Sequence, residues 1–328
     1  MKTSKTIGKQ SLAVSAGLAL VLLSGCGGNA NQANNASTVP ANNVNTGKKL
    51  NVVTTFYPMY EFSKQVAGDH ADVIALIPAG AEPHDWEPSA KDMAKVKEAD
   101  IFIYNGIVEG WVDKALASAS NDKRVVVEAS KGINLMEGMH EEEEGDAHNA
   151  EEGTILDPHV WLDPVLAQKE VESIQAAFEQ ADPANKEDYK KNAESYIAKL
   201  KDLDEAYKSG LKDVKNKDFV TQHAAFSYLA KQYGLTQVPI AGLSPEQEPS
   251  PGKMADIIKF AKEHQVTTIF FETLVDPKVA QTVANELGAK TDVLNPIEGL
   301  TDEDKTKNLD YIGIMKNNLE ALKKALNE

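Results

Sequence analysis

Short runs of β-branched and apolar residues alternate with segments of helical periodicity, and this alternation limits the fold more than any other feature. It occurs once in the first half of the chain and again in the second. Strands that alternate with helices pair in parallel, so each half predicts a parallel sheet flanked by helices. The predicted strands are Leu50–Thr55, Val73–Ile77, Ile101–Tyr104 and Arg124–Val127, then Phe219–Thr221, Gln237–Ile240, Val266–Phe271 and Thr291–Leu294.

A long helix is predicted between the two halves. Lys186–Asp213 has apolar residues mostly three or four positions apart, and no glycine or proline interrupts this pattern before Gly210. A continuous helix of this length would be about 42 Å long. We interpret it as a rigid spine helix that joins two Rossmann-like α/β lobes. A coiled-coil or partner-binding helix is the alternative, which the irregular heptad pattern disfavours. A last helix is predicted over Lys305–Leu326.

The charge of the chain excludes one class of partner. The 328 residues carry a formal net charge of −16, whereas nucleic-acid binding requires a basic face. The hydrophobic fraction of 42% is ordinary for a globular protein with a core, and the length suffices for about two domains.

The first 47 residues are predicted to lie outside the folded part. Residues 1–25 combine three lysines with the apolar run Leu12–Leu23, which is typical of a signal peptide. The run ends in Leu23-Ser24-Gly25-Cys26, which resembles a lipobox, so Cys26 is the expected site of lipid attachment. Because Cys26 is the only cysteine, internal disulfides and thiolate metal clusters are excluded. Residues 26–47 are predicted to form a flexible tether that spans on the order of 25 Å.

An acidic segment interrupts the first half of the chain. Residues 137–152 contain eight acidic residues, no lysine or arginine, and the two histidines His140 and His148. Mutual repulsion of like charges predicts a disordered loop. Two interpretations stay open, namely a low-affinity collector of cations and a solvated insertion without a binding role.

Three other histidines stand in loops or at a strand end, far apart in the chain. His84 lies in A-E-P-H-D-W-E-P, His159 lies between Asp157-Pro158 and Asp163-Pro164, and His223 lies in F-V-T-Q-H-A-A-F. Proline restricts the backbone of such loops, and imidazole is the commonest metal ligand at neutral pH. We therefore expect the three side chains to meet in one metal site.

Two glutamates could complete this site. Glu272 and Glu298 both follow predicted strands of the second half, and ligands of open α/β sheets bind at that edge of the sheet. Three imidazoles and one carboxylate suit zinc, whereas magnesium and calcium prefer shells of oxygen atoms alone. Either glutamate could be the ligand, and the other could orient a histidine. The site would lie in the cleft between the lobes.

Together these motifs resemble those of the zinc-specific solute-binding lipoproteins of bacterial ABC importers, which belong to the wider zinc/manganese metal-binding lipoprotein and adhesin family. The resemblance covers essentially the whole chain after the signal peptide. Besides the lipobox and the acidic segment, it depends on Pro83-His84-Asp85-Trp86-Glu87-Pro88, Asp157–Pro164, Asp182–Asn185, His223–Phe226, Ser244–Pro251, Phe271-Glu272-Thr273 and Asn295–Glu298.

The resemblance implies a ligand set and a division into domains. Zinc is the expected cargo, and its expected ligands are His84, His159, His223 and Glu298. Glu272 is then expected either to orient a ligating histidine or to serve as an alternative ligand. The expected parts are a first lobe over residues 48–184, the spine helix over 185–214 and a second lobe over 215–328. A manganese-binding member of the family and a surface adhesin with a structural metal site are the alternatives.

The resemblance also implies where the protein works and with which partners. We expect a monomer anchored by lipid to the outer face of a cell membrane, of the Gram-positive type, that passes zinc to an ABC transporter permease. A zinc hydrolase is the competing class of function. The sequence contains no H-E-x-x-H, no G-x-x-x-x-G-K-[ST] and no G-x-S-x-G motif, so we expect no enzyme.

Overall fold

Two parallel four-stranded sheets form the framework of the protein in the computed structural model, which describes residues 48–138, 155–246 and 249–328. The first sheet has the order β2-β1-β3-β4 and the second has the order β6-β5-β7-β8, so both have the same topology. The strands are β1 Leu50–Thr54, β2 Ala71–Ala75, β3 Ile101–Tyr104, β4 Val125–Glu128, β5 Asp218–Thr221, β6 Thr236–Pro239, β7 Thr268–Phe271 and β8 Lys290–Val293. The predicted fold class, with two lobes and a long helix, is confirmed.

Helices connect these strands and cover the sheets. They are α1 Tyr57–Ala67, α2 Ala90–Glu98, α3 Val112–Ser118, α4 Pro164–Ala181, α5 Lys186–Leu211, α6 Ser227–Tyr233, α7 Pro251–Glu263, α8 Lys278–Leu287, α9 Asp302–Thr306 and α10 Tyr311–Ala325. Among the described residues, no helix has the length and apolar character that a membrane span requires.

The spine helix is α5, and it ends at Leu211, two residues before the predicted end. Its buried face includes Tyr189, Tyr196, Leu200 and Tyr207, as the helical spacing indicates. It packs against α1 and α4 of the first lobe and against α10 and α6 of the second. One continuous apolar core therefore extends from the first sheet along α5 into the second lobe.

The prediction of a single last helix is wrong. The structure divides Lys305–Leu326 between the end of α9 and the longer helix α10. The backbone of Asn308 has φ of 51°, a left-handed conformation that interrupts a right-handed helix. The Asp310 carboxylate then accepts a hydrogen bond of 2.7 Å from the Gly313 N–H and caps the start of α10.

Two buried acids lie in the interior of the first lobe. The Glu109 carboxylate accepts hydrogen bonds from the backbone N–H groups of Asn105 and Gly106, at 3.0 and 3.1 Å. The Glu170 carboxylate accepts one bond of 3.1 Å from the Asn105 side-chain amide, and its second oxygen has no partner. Burial raises the pKa of Glu170 to about 8, and this effect outweighs the hydrogen bond from Asn105.

We expect Glu170→Gln to change the pH dependence of stability. Between about pH 4.5 and 8 the folded protein retains a proton on Glu170 that the unfolded chain loses, so the free energy of unfolding falls as pH rises. The glutamine should remove this contribution and make the protein more stable than wild type at pH 9. Denaturant unfolding from pH 5 to 9 measures it, with Glu194→Gln on the exposed face of α5 as control. An unchanged slope would contradict the assignment.

Candidate metal centre

The loop that carries His159 is fixed by the residues that follow it. Val160, Trp161 and Leu162 form one turn of 3-10 helix and are fully buried in the core. The Asp163 carboxylate then accepts a hydrogen bond of 2.8 Å from the Val165 N–H and caps the start of α4. Apolar packing on one side therefore holds the His159 imidazole, which is itself fully buried, on the other.

His84 and His223 reach the same place from loops that follow strands. His84 lies between β2 and α2, and its backbone N–H donates to both carboxylate oxygens of Glu82 at 3.0 Å. His223 lies between β5 and α6, and its carbonyl accepts bonds of 2.8 Å from the Thr221 hydroxyl and from the Gln237 amide. Both loops are therefore hydrogen-bonded to neighbouring residues.

Glu298 approaches from the loop after β8, whose backbone is strained. Ile297 has φ of 60°, which is unfavourable for a β-branched residue. The loop holds this conformation through Asn295, whose side chain accepts a bond of 2.7 Å from the Ile297 N–H, and through Asn318, which bonds the Asn295 backbone. The strained backbone places a carboxylate that is 1% exposed among the histidines.

The four side chains form one compact group. Glu298 Oε1 lies 3.1 Å from His84 Nε2, 3.5 Å from His159 Nε2 and 3.6 Å from His223 Nε2. The Nε2 atoms of His159 and His223 are 3.4 Å apart, and all four donor atoms lie within 4.8 Å of one another. Ligand atoms at 2.0–2.1 Å from a tetrahedral zinc are about 3.3 Å apart. The spacing therefore fits a single zinc ion with little rearrangement.

Carboxylates behind two of the histidines orient their rings. Asp157 Oδ1 lies 2.8 Å from His159 Nδ1, and Glu272 makes a short hydrogen bond with His223 Nδ1. A proton held on Nδ1 leaves the Nε2 atom of each ring, which faces Glu298, as the atom that can bind a metal ion. Glu272 thus lies on the far side of His223 from the four donor atoms.

The charges of the centre favour binding of a cation. Burial opposes a charge on His223, but Glu272 and Glu298 outweigh it and raise the pKa of His223 to about 10. Burial also opposes a charge on His159, yet bonds with Asp157 and Glu298 raise its pKa. Burial likewise opposes ionisation of Glu298, but the three histidines hold its pKa well below its usual range. A divalent cation must displace protons from these histidines, so metal affinity is expected to rise with pH.

One further oxygen in the centre has no hydrogen-bond partner. Glu298 Oε2 is buried and unpaired, an arrangement that is costly for a carboxylate in the interior of a protein. A cation beside Oε1 would compensate this cost, since carboxylates bind zinc through one or both oxygens. The donor chemistry and the unpaired oxygen both fit a metal ligand at this position.

Two other histidines of the described residues are not part of the centre. His70 and His264 are paired with Asp188 and Asp218, at 2.9 and 2.6 Å, away from the centre. His140, His148 and Cys26 fall outside the described residues.

The sequence analysis anticipated that a glutamate would orient a histidine but missed two other residues that position the histidines. Glu82 and Asp157 each stand two positions before a histidine with a proline between them, and both accept the backbone N–H of that histidine. The spacing acid–proline–histidine was visible in both loops and could have indicated this role.

Known proteins similar to this chain include zinc-uptake components. The family model described as "Zinc-uptake complex component A periplasmic", named ZnuA, matches residues 52–325. The chain is 55% identical over 282 residues to the "High-affinity zinc uptake system protein ZnuA" of Bacillus subtilis. The match covers 85% of this chain and 88% of that protein.

Two solved structures show the same fold. The metal-dependent lipoprotein YcdH of Bacillus subtilis is 54% identical with a TM-score of 0.73, and the match covers 85% of this chain and all of that one. Zn(II)-bound AdcA of Streptococcus pneumoniae is 47% identical with a TM-score of 0.74, and the match covers 86% of this chain but 58% of AdcA. The fold, the match over residues 52–325 and these identities show that the chain belongs to the ZnuA family of zinc-uptake components.

Proposed function

We propose that this protein binds zinc tightly outside the cytoplasm and delivers it to the permease of an ABC transporter. The observation that carries the proposal is the group of His84, His159, His223 and Glu298, whose donor atoms have the spacing of a zinc shell. The zinc-uptake relatives support the choice of metal. Zinc is the cargo in this proposal and not a resident cofactor.

Each side chain has a distinct role in the proposed site. His159 and His223 supply buried nitrogen ligands that Asp157 and Glu272 orient. His84 is 11% exposed and is the ligand nearest to solvent, so it is suited to receive the ion first and to release it last. Glu298 supplies the only carboxylate among the four donors. The other three donors are imidazole nitrogens, which favour zinc over the harder manganese ion. Glu272 acts behind His223 and not as a ligand.

The proposed site differs from that of a zinc hydrolase. A catalytic zinc needs a coordination position open to substrate and a general base beside it. Here four protein donors converge, and three of them are at most 1% exposed. The geometry therefore favours storage and transfer of the ion over chemistry on a substrate. The two alternatives from the sequence analysis, a manganese-binding member of the family and a surface adhesin, stay predictions.

The two lobes offer a route for release. His84 and His159 belong to the proposed first lobe, residues 48–184, whereas His223 and Glu298 belong to the proposed second lobe, residues 215–328. A relative displacement of the lobes about the spine helix would separate the two pairs of ligands. We infer that contact with the permease produces such a displacement and lowers the affinity for zinc.

His159→Ala should abolish tight zinc binding and leave the fold intact. It removes one of four ligands, so we expect the affinity to fall more than about 100-fold, beyond the loss that outer-shell substitutions cause. Metal analysis of the dialysed protein and competition with a chelator measure this loss.

His264→Ala is the matched control for His159→Ala, because His264 is 42% exposed and paired with Asp218 away from the centre. This control should retain one zinc per chain. Tight, stoichiometric zinc in the His159→Ala protein would contradict the proposed site.

The lipid anchor is a second part of the proposal. The lipobox at Cys26 supports it, since each buried CH₂ of an attached acyl chain contributes about 0.8 kcal/mol of membrane affinity. Cys26→Ala should release the protein from the membrane without a change in its affinity for zinc. Fractionation followed by detergent extraction tests this. A variant that stays in the membrane fraction would show that another segment anchors the chain.

A further inference from the structure

Two chain segments of the first lobe meet directly before the His159 loop. The Gly138 N–H donates to the Ile155 carbonyl at 2.8 Å, and the Asp157 N–H donates to the Met136 carbonyl at 2.9 Å. Glu137 and Leu156 form an isolated antiparallel bridge between these two bonds. We call this pair of segments, residues 136–138 and 155–157, the stem.

A hydroxyl group of the second lobe is hydrogen-bonded to the stem. Tyr228, in the first turn of α6, accepts a bond of 2.8 Å from the Met136 N–H and donates one of 2.7 Å to the Asp157 carbonyl. The residue is 4% exposed, and it packs against Ile133 and Val160. Burial raises the pKa of Tyr228 to about 12, so the hydroxyl keeps its proton at neutral pH and can donate.

The same stem residue also positions His159. Asp157 Oδ1 accepts bonds from the His159 backbone N–H at 2.9 Å and from its ring Nδ1 at 2.8 Å. The backbone and the side chain of Asp157 therefore connect the Tyr228 hydroxyl on one side with a proposed ligand on the other. Three residues, Tyr228, Asp157 and His159, thus form a chain of hydrogen bonds from the second lobe to the first.

The stem also touches the second lobe beside Tyr228. A Cβ atom on Gly138 would lie 2.6 Å from Leu243 Cδ1, so the two lobes approach closely here. When the lobes separate, these contacts are expected to break together with the hydroxyl bonds.

We propose that Tyr228 is a positioning residue that makes the orientation of His159 depend on contact between the two lobes. With the lobes in contact, its hydroxyl holds Asp157, and Asp157 holds the imidazole toward Glu298. When the lobes part, Asp157 loses the hydroxyl, its carbonyl becomes unpaired, and the imidazole becomes freer to turn. Tyr228 would thus promote retention of zinc in the closed protein and its release in the open one. This inference depends on the proposed function.

The test compares two tyrosine-to-phenylalanine variants of the full chain. Tyr228→Phe leaves the Met136 N–H and the Asp157 carbonyl without their buried partner. Tyr207→Phe is the matched control, since Tyr207 is also buried and its hydroxyl donates a bond of 2.7 Å to the Met315 carbonyl, between α5 and α10. Thermal melting of the metal-free proteins establishes that both variants fold and how much stability each loses.

Zinc dissociation into excess chelator is the main measurement. We expect Tyr228→Phe to release zinc about five times faster than wild type, the factor that loss of one hydrogen bond typically produces. Tyr207→Phe should release zinc at the wild-type rate. The visible spectrum of the Co(II)-substituted protein, which reports the geometry of the ligands, should change in Tyr228→Phe alone.

Each other outcome has a definite meaning. Equal rates and equal Co(II) spectra for wild type and Tyr228→Phe would overturn the inference. Equal acceleration by both variants would overturn it too, because the effect would then follow from lost stability. Failure of the wild-type chain to take up zinc would instead contradict the proposed function.

Discussion

A hydrogen bond between the lobes joins the segments that carry two of the proposed ligands. The indole N–H of Trp161 donates to the Pro296 carbonyl at 2.8 Å. Trp161 stands two residues after His159, and Pro296 stands two residues before Glu298, so the bond brings a nitrogen ligand and the carboxylate together. The indole is fully buried, packs edge-on against Phe56 at 5.0 Å, and lies 5.1 Å from the His159 ring. Loss of this bond would remove one of the contacts that hold the two halves of the site together.

The buried charges of the centre depend on that arrangement. Glu272, Asp157 and Glu298 are each at most 4% exposed, and each would be costly to bury alone. The imidazoles between them share protons with these carboxylates, which gives the metal-free protein a neutralising partner for every acid. A divalent cation at the Nε2 atoms would replace only the protons on the Glu298 side of the rings, and the Nδ1 protons would stay with Asp157 and Glu272. In the proposed site, selectivity would follow from the donor set, because the carboxylates behind the histidines would contribute orientation and basicity without adding oxygen ligands.

The sequence predicted the features that are encoded locally. The residues of each segment determine whether it forms a strand or a helix. The prolines around His84 and His159 restrict the backbone of their loops independently of the rest of the fold. The choice between Glu272 and Glu298 could not be made from spacing, because both follow strands at the same edge of the sheet. The structure distinguishes them through the left-handed backbone at Ile297, a conformation that depends on Asn318 from α10.

The sequence did not predict contacts between distant segments or the break before the last helix. Tyr228 is 71 residues from Asp157, and its position looked like that of any aromatic residue on the buried face of a helix. The break before α10 depends on one left-handed residue, Asn308, within a pattern that otherwise continues with helical spacing. The first feature follows from how the lobes pack together and the second from a local backbone conformation, and periodicity in the sequence describes neither.

X-ray absorption at the zinc edge of the stoichiometrically loaded, dialysed protein tests the central claim most directly. The claim is that three imidazoles and one carboxylate from both lobes form the whole inner shell. The account predicts nitrogen and oxygen neighbours at about 2.0–2.2 Å, with outer-shell scattering from three imidazole rings. A shell with fewer than three imidazoles, or one made mainly of water and carboxylate oxygens, would contradict it.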